Sequence, residues 1–186
     1  LGEALMKKVI KVTDLAIKSG APVVGMNDSG GARIQEGVSG LAGVSELFFR
    51  NTLASGVIPQ ISAILGPCAG AAVYSPAMTD FIFTVKGISH MFVTGPDVVK
   101  AALGETVTFE DLGGSSMHYA QSGVAHFLAE NEKECISSIR RLLSYLPQNH
   151  SEFPPSMGAP AEPSSEDPEM ESLVPKEPYK AYDVKA

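Results

Sequence analysis

Asn27-Asp28-Ser29-Gly30-Gly31-Ala32-Arg33-Ile34-Gln35-Glu36-Gly37-Val38-Ser39-Gly40-Leu41-Ala42-Gly43 sets how the rest of the chain reads. The apolar run Pro22-Val23-Val24-Gly25-Met26 leads into it, and a helix-patterned segment, Leu41 to Ala54, leads out. A buried strand that ends in a glycine-rich turn and enters a helix presents free backbone N–H groups to whatever occupies the turn. Gly30 and Gly31 remove the Cβ that would block a ligand there.

The plan recurs downstream. Ile58-Pro59-Gln60-Ile61-Ser62-Ala63-Ile64-Leu65 reads as a second strand, and Gly66-Pro67-Cys68-Ala69-Gly70-Ala71-Ala72 as a second turn opening a second helix. Two such units in tandem can aim two sets of amides at one point, which is how a fold builds an oxyanion hole without charged side chains.

The chain has 186 residues, 44% hydrophobic and 19% charged, which suits one α/β globular domain plus some tail. A net charge of −7 with no basic stripe argues against a nucleic-acid or anionic-membrane partner. Two cysteines, Cys68 and Cys135, are too few for a disulfide framework or a four-thiolate zinc site, and they suggest a reducing compartment. No metal-ligand spacing is present. No apolar run approaches the ~20 residues of a membrane span. The N-terminus, Leu1-Gly2-Glu3-Ala4, carries neither a start Met nor a signal peptide and reads as the middle of something larger.

Leu5, Val9, Val12 and Ala16 predict one face of a first helix, which Gly20 and Pro22 stop. Leu41, Val44, Leu47 and Phe48 mark the second, ending near Gly56. Phe81–Val85 predicts a third buried strand and His90–Thr94 a short fourth. Pro96-Asp97 opens a helix through Leu103, and Thr108–Asp111 resembles a capping box that Gly113-Gly114 soon breaks. Asn131 with Glu134 starts a helix whose buried stripe is Ile136, Ile139, Leu142, Leu143 and Leu146, ended by Pro147. Helices alternating with short apolar strands imply parallel pairing with right-handed crossovers. Residues 1–147 read as domain and 148–186 as a Pro/Glu-rich linker, its last segment, Tyr179–Val184, leading toward an absent second domain.

Asp28-Ser29-Gly30-Gly31-Ala32-Arg33-Ile34-Gln35-Glu36-Gly37 resembles the carboxyltransferase (β) subunits of biotin-dependent acyl-CoA carboxylases, in the propionyl-CoA carboxylase, transcarboxylase and methylmalonyl-CoA decarboxylase branch. The likeness continues through Gly66-Pro67-Cys68-Ala69-Gly70, Tyr74-Ser75-Pro76-Ala77, Thr79-Asp80-Phe81, Val93–Lys100 and Ser122–His126 to Tyr145-Leu146-Pro147. It implies an α/β crotonase (ClpP-like) fold, here a partial domain of stacked parallel βα units. It also implies transfer of CO2 between N-carboxybiotin and the α-carbon of a short acyl-CoA, with an enolate stabilised by backbone amides. On that reading Gly31, Ala32, Gly70 and Ala71 are the amide donors, and Gly30, Arg33 and Ala69 contact substrate. Relatives often carry two adjacent glycines where this sequence has Gly70-Ala71. The implied cofactor is biotin on a separate carrier protein, with acyl-CoA as substrate. The implied partners are a biotin carboxylase or biotin-carrier subunit and further copies of the chain, with active sites shared between two subunits and a hexamer overall. The implied compartment is the bacterial cytoplasm or the mitochondrial matrix.

Two rival readings stand beside it. One is a non-catalytic assembly module of the same fold. The other is a ClpP-like serine hydrolase, which needs Ser29 or Ser75 beside one of four histidines (His90, His118, His126, His150) and an acid. Arg33 either contacts a phosphate or pairs with Glu36. Asp80 reads as a turn-fixing residue, His126 as a packing histidine and Cys68 as a small apolar filler.

Overall fold

The chain forms two units, Leu1–Pro155 and Ser156–Ala186. The structure is a computed structural model and describes residues 1–156, 158 and 173–182. In the second unit, residues 173–182 form turns, one closed by the Lys180 N–H on the Glu177 carbonyl at 3.1 Å.

In the first unit α1 (Glu3–Ser19) precedes β1 (Val23–Ser29), and α2 (Gly37–Ala54) precedes β2 (Gln60–Ala69). There follow α3 (Ala71–Ala77), β3 (Phe81–Val85), β4 (His90–Phe92), α4 (Pro96–Leu103), α5 (Phe109–Gly113), α6 (Ser115–Ala120), β5 (Phe127–Ala129) and α7 (Glu132–Leu143). The sheet order is β1-β2-β3-β5, with β4 also on β2, and every strand pair is parallel. The expected α/β plan of parallel βα units is therefore the observed one.

β2 organises the sheet. Its first half, Ile61–Ile64, pairs with β3, and its last three residues, Pro67–Ala69, pair with β4. The predicted turn at Gly66–Ala72 is thus mostly strand. The register with β1 jumps from Asn27–Ile64 to Ser29–Cys68, so Leu65, Gly66 and Pro67 bow out opposite Asp28 alone. The bulge lets β2 accommodate Pro67 and still reach β4.

Ile61, Ala63, Phe83, Val85 and Ala129 meet Cys135 and Ile139 of α7 on one face of the sheet. Ile64, Cys68, Ile82 and Met91 meet Ala72 of α3 on the other. Burial on both faces is what makes β2 and β3 continuous apolar runs. β1 differs from the expected buried strand. It pairs only with β2 among the described residues, so its side chains alternate, with Met26 63% exposed.

Two helix faces also differ from the pattern. In α1 the buried residues are Met6 and Thr13, while Leu5 and Val12 are exposed. Thr13 tolerates burial because its hydroxyl donates to the Val9 carbonyl at 3.0 Å. In α7 the stripe runs through Cys135 and Ile139, leaving Ile136 exposed. Both predicted caps are present. Thr108 Oγ1 accepts from the Asp111 N–H at 3.1 Å, and Asn131 Oδ1 from the Glu134 N–H at 3.0 Å. The first unit runs to Pro155: Asn149 Nδ2 donates to the Gly20 carbonyl at 3.0 Å and the His150 N–H to the Val57 carbonyl at 2.9 Å. Residues 157 and 159–172 of the predicted linker, and its tail end, 183–186, lie outside the described residues.

Burial pushes the Cys135 thiol up to about 11 from 9.0, with Glu132 and Glu134 adding to the shift. The unfolded thiol loses its proton first as pH rises, so the fold loses stability between pH 9.0 and about 11. Cys135→Ala removes this titration. Urea unfolding of both forms should therefore show the native protein's margin over Cys135→Ala shrinking across that window. A margin independent of pH would contradict the burial argument.

Candidate active site

β1 ends at Ser29, and the chain turns through Gly30, Gly31 and Ala32 before the 3-10 turn Ile34–Glu36 and α2. Gly31 has φ +102°, a conformation that L side chains rarely adopt. A Cβ on it would stand 2.7 Å from the Ala69 carbonyl oxygen and 3.7 Å from the Ala71 nitrogen. The two glycine-rich loops therefore touch main chain to main chain. Gly70, at φ +53° and ψ −122°, makes the sharp exit from β2 into α3.

Between the loops opens a cleft of about 640 Å³. Gly30, Gly31, Ala32, Ala69, Gly70 and Ala71 form one side of it. Ile34, then Leu41, Val44, Ser45 and Phe48 of α2, Tyr74 of α3, and Val93, Thr94 and Gly95 before α4 with Val98 within it form the rest. Phe48 and Tyr74 meet edge to face, with centroids 6.2 Å apart. No charged side chain lines the cleft among the described residues.

The amides differ in availability. The Ala32 and Ala71 N–H groups have no acceptor among the described residues. The Gly31 N–H makes a long bond, 3.3 Å, to Ser29 Oγ. The Gly70 N–H is engaged, donating to the Phe92 carbonyl at 3.2 Å to close β4 onto β2. That corrects the expectation for Gly70: its amide is committed to the sheet. Ala71, the first residue of α3, is the free donor of the second loop.

Arg33 does not line the cleft; its guanidinium lies 3.7 Å from Glu36, an exposed ion pair. Asp80 Oδ2 accepts from the Gln60 N–H at 2.8 Å and so fixes the start of β2. His126 Nδ1 accepts from the Ile82 N–H at 3.0 Å and its ring packs on Phe81. Cys68 is fully buried. Burial pushes its thiol up, Asp28 adds to this, and a backbone hydrogen bond from Ser29 opposes it. It is no thiolate nucleophile.

Neither candidate serine has a histidine partner. Ser29 Oγ accepts from Gly31, and Ser75 Oγ donates to Asn51 Oδ1. The one Ser–His pair among the described residues, Ser122 Oγ with His118 Nδ1 at 2.8 Å, is an exposed neighbour pair whose other ring nitrogen faces the Met91 carbonyl. Among the described residues no acid orients it, so the triad geometry is missing there.

A family model described as the carboxyl transferase domain matches residues 1–186. The chain belongs to that family. Among its relatives, the propionyl-CoA carboxylase carboxyltransferase subunit of Haloferax mediterranei is 57% identical over 99% of this chain and 36% of its own length. The methylmalonyl-CoA decarboxylase subunit alpha of Veillonella parvula is 58% identical over 100% of this chain and 36% of its own. Among solved structures, a transcarboxylase 12S hexamer with hydrolysed methylmalonyl-coenzyme A bound superposes with a TM-score of 0.83 at 46% identity, over 99% of this chain and 36% of that one. The chain thus spans about a third of the length of these carboxyl transferases. Their fold is the crotonase-like one expected from the sequence.

The residues that sequence reasoning missed are the apolar wall. Leu41, Ser45 and Phe48 recur at helical spacing on one face of α2, and Tyr74 follows Ala71 by three. That spacing was legible, but the pattern alone reads as core. Substituting Ala for Gly31 should push the loops apart and cost at least about 1–2 kcal/mol from the left-handed backbone alone. The urea midpoint of the variant measures it, and an unchanged midpoint would mean that the loops do not touch.

Proposed function

We propose that this chain supplies the enolate-stabilising half of a carboxyltransferase site, which moves CO2 between N-carboxybiotin and the α-carbon of a short acyl-CoA such as propionyl- or methylmalonyl-CoA. The observation that carries the reading is the meeting of two glycine-turned loops at an uncharged cleft, with the Ala32 and Ala71 amides unengaged. A thioester oxygen seated between them accepts two hydrogen bonds. When the α-proton leaves, negative charge grows on that oxygen, and preorganised N–H dipoles stabilise the enolate without giving up a proton. The apolar walls lower the local dielectric and strengthen those dipoles. Gly31, whose own amide makes only a long bond, is a third donor within reach. Gly30 and Ala69 shape the loops beside the bound thioester.

The cleft fits an uncharged ring as well as an acyl group. Its volume lies inside the ~300–1,000 Å³ range of ligand sites, and its far wall is aliphatic and aromatic. Biotin, carried on a partner protein, brings the carboxyl group and a ureido nitrogen able to take up the α-proton. The biotin-carrier subunit, a biotin carboxylase and further copies of the chain are the partners this reading requires. Arg33, exposed beside Glu36, is the cation available to take a CoA phosphate as a second partner. Cytoplasm or mitochondrial matrix is the matching compartment. Among the described residues no helix is long and apolar enough to cross a membrane.

The test uses Ala71→Pro in the full-length subunit, reconstituted with its biotinylated partner. Proline is well tolerated at the first position of a helix, so the change deletes the free N–H and little else. Incorporation of labelled bicarbonate into propionyl-CoA should fall by about 10²–10³, with the circular dichroism spectrum intact. Undiminished transfer would refute the donor assignment, and an inactive wild-type would favour the assembly module.

A further inference from the structure

Ser75 is no triad nucleophile, yet it is tied deep into the interior. Its Oγ donates to Asn51 Oδ1 at 2.8 Å. Asn51, on α2 and 6% exposed, donates through Nδ2 to Gln60 Oε1 at 2.9 Å. Gln60, the first residue of β2 and 2% exposed, returns a bond from Nε2 to the Asn51 carbonyl at 3.0 Å. Its own N–H is held by Asp80. The network thus joins α2, β2 and α3 in series. Beside it lies a cavity of about 90 Å³ that Thr13, Asn27, Ser62 and Thr79 also line.

Buried amides are costly unless paired, and satisfied networks of this kind fix a unique arrangement. The element in most need of fixing is α3. It has only seven residues, contains Pro76, and has no side-chain cap at Gly70. Pro76 removes the N–H that would bond the Ala72 carbonyl. Packing of Ala72 and Pro76 holds the helix down, but apolar contacts alone are poor at setting its roll. Ser75 lies four residues after Ala71, one turn further on nearly the same face. Its bond ends on Asn51, three residues beyond Phe48 on the helix that walls the cleft.

We propose that Ser75, held by Asn51 and Gln60, is a positioning residue: it sets the roll of α3 and so aims the Ala71 N–H into the cleft. The proposal rests on the carboxyltransferase reading for its catalytic consequence, but not for its structural one.

Both consequences are measured on the full-length subunit with its biotinylated partner. In Ser75→Ala the kcat for carboxyl transfer should fall by up to about 100-fold, the cost of a misaimed group, while KM for the acyl-CoA stays unchanged. Ser75→Thr restores the hydroxyl, with room for its methyl in the adjoining cavity, and should recover kcat. Hydrogen exchange of the Val73 and Tyr74 amides, which both donate to the Gly70 carbonyl in the first turn of α3, should speed up in Ser75→Ala and return to the wild-type rate in Ser75→Thr. A kcat that does not fall, kcat and KM changing together, or a threonine that fails to rescue would overturn the proposal. So would exchange that is unchanged across the three proteins. Should wild-type subunit transfer no carboxyl group, the functional reading fails on its own, and the exchange rates still decide whether Ser75 fixes α3.

Discussion

Main chain against main chain at Gly31 and Ala69 is the constraint on which this fold turns. The two loops approach so closely that even a methyl group between them would lie 2.7 Å from a carbonyl oxygen. Such an approach needs β1 and β2 adjacent and parallel, so that both strands end at the same edge of the sheet. It also needs the bulge opposite Asp28, which lets β2 run past the end of β1 and engage β4. The sharp turn at Gly70 then brings α3 back over the first loop. Remove any of these and the free amides of the two loops no longer share a cleft.

What the cleft lacks matters as much as what it contains. Its walls come from α2, α3 and the entrance to α4, and they carry no charge among the described residues. Besides the hydroxyl-bearing side chains Ser45, Tyr74 and Thr94, its polarity comes from N–H groups at the ends of two strands, where the backbone has run out of partners. In water such groups are satisfied by solvent. Inside an apolar trough they retain their dipoles and wait for an oxygen. A permanent cation in such a wall would favour a ligand that is already anionic, whereas uncharged N–H dipoles discriminate less between charge states at rest.

The sequence was legible where structure is local and failed where it depends on remote neighbours. β3 and α4 fall on their predicted residues because short apolar runs and an initial proline are self-contained signals. The caps at Thr108 and Asn131 are likewise decided within four residues. β1 looks like a buried strand, yet only the sheet order shows that it pairs with β2 alone among the described residues. Gly70 looks like a free donor, yet Phe92, 22 positions on by residue number, takes its hydrogen. β5 and α6 are too short to show any period. Ile136 and Cys135 exchange places in α7 because a thiol packs as well as a small aliphatic group, and a hydropathy pattern does not weigh it so.

The groups that the loops present are peptide nitrogens, and two of the residues that own them are already alanine. An alanine scan would pass over positions 32 and 71 without altering an atom, and most side-chain-directed reagents would find nothing there to modify. A cleft whose loops present main-chain nitrogens in this way is the part of the molecule that ordinary mutagenesis is least equipped to see.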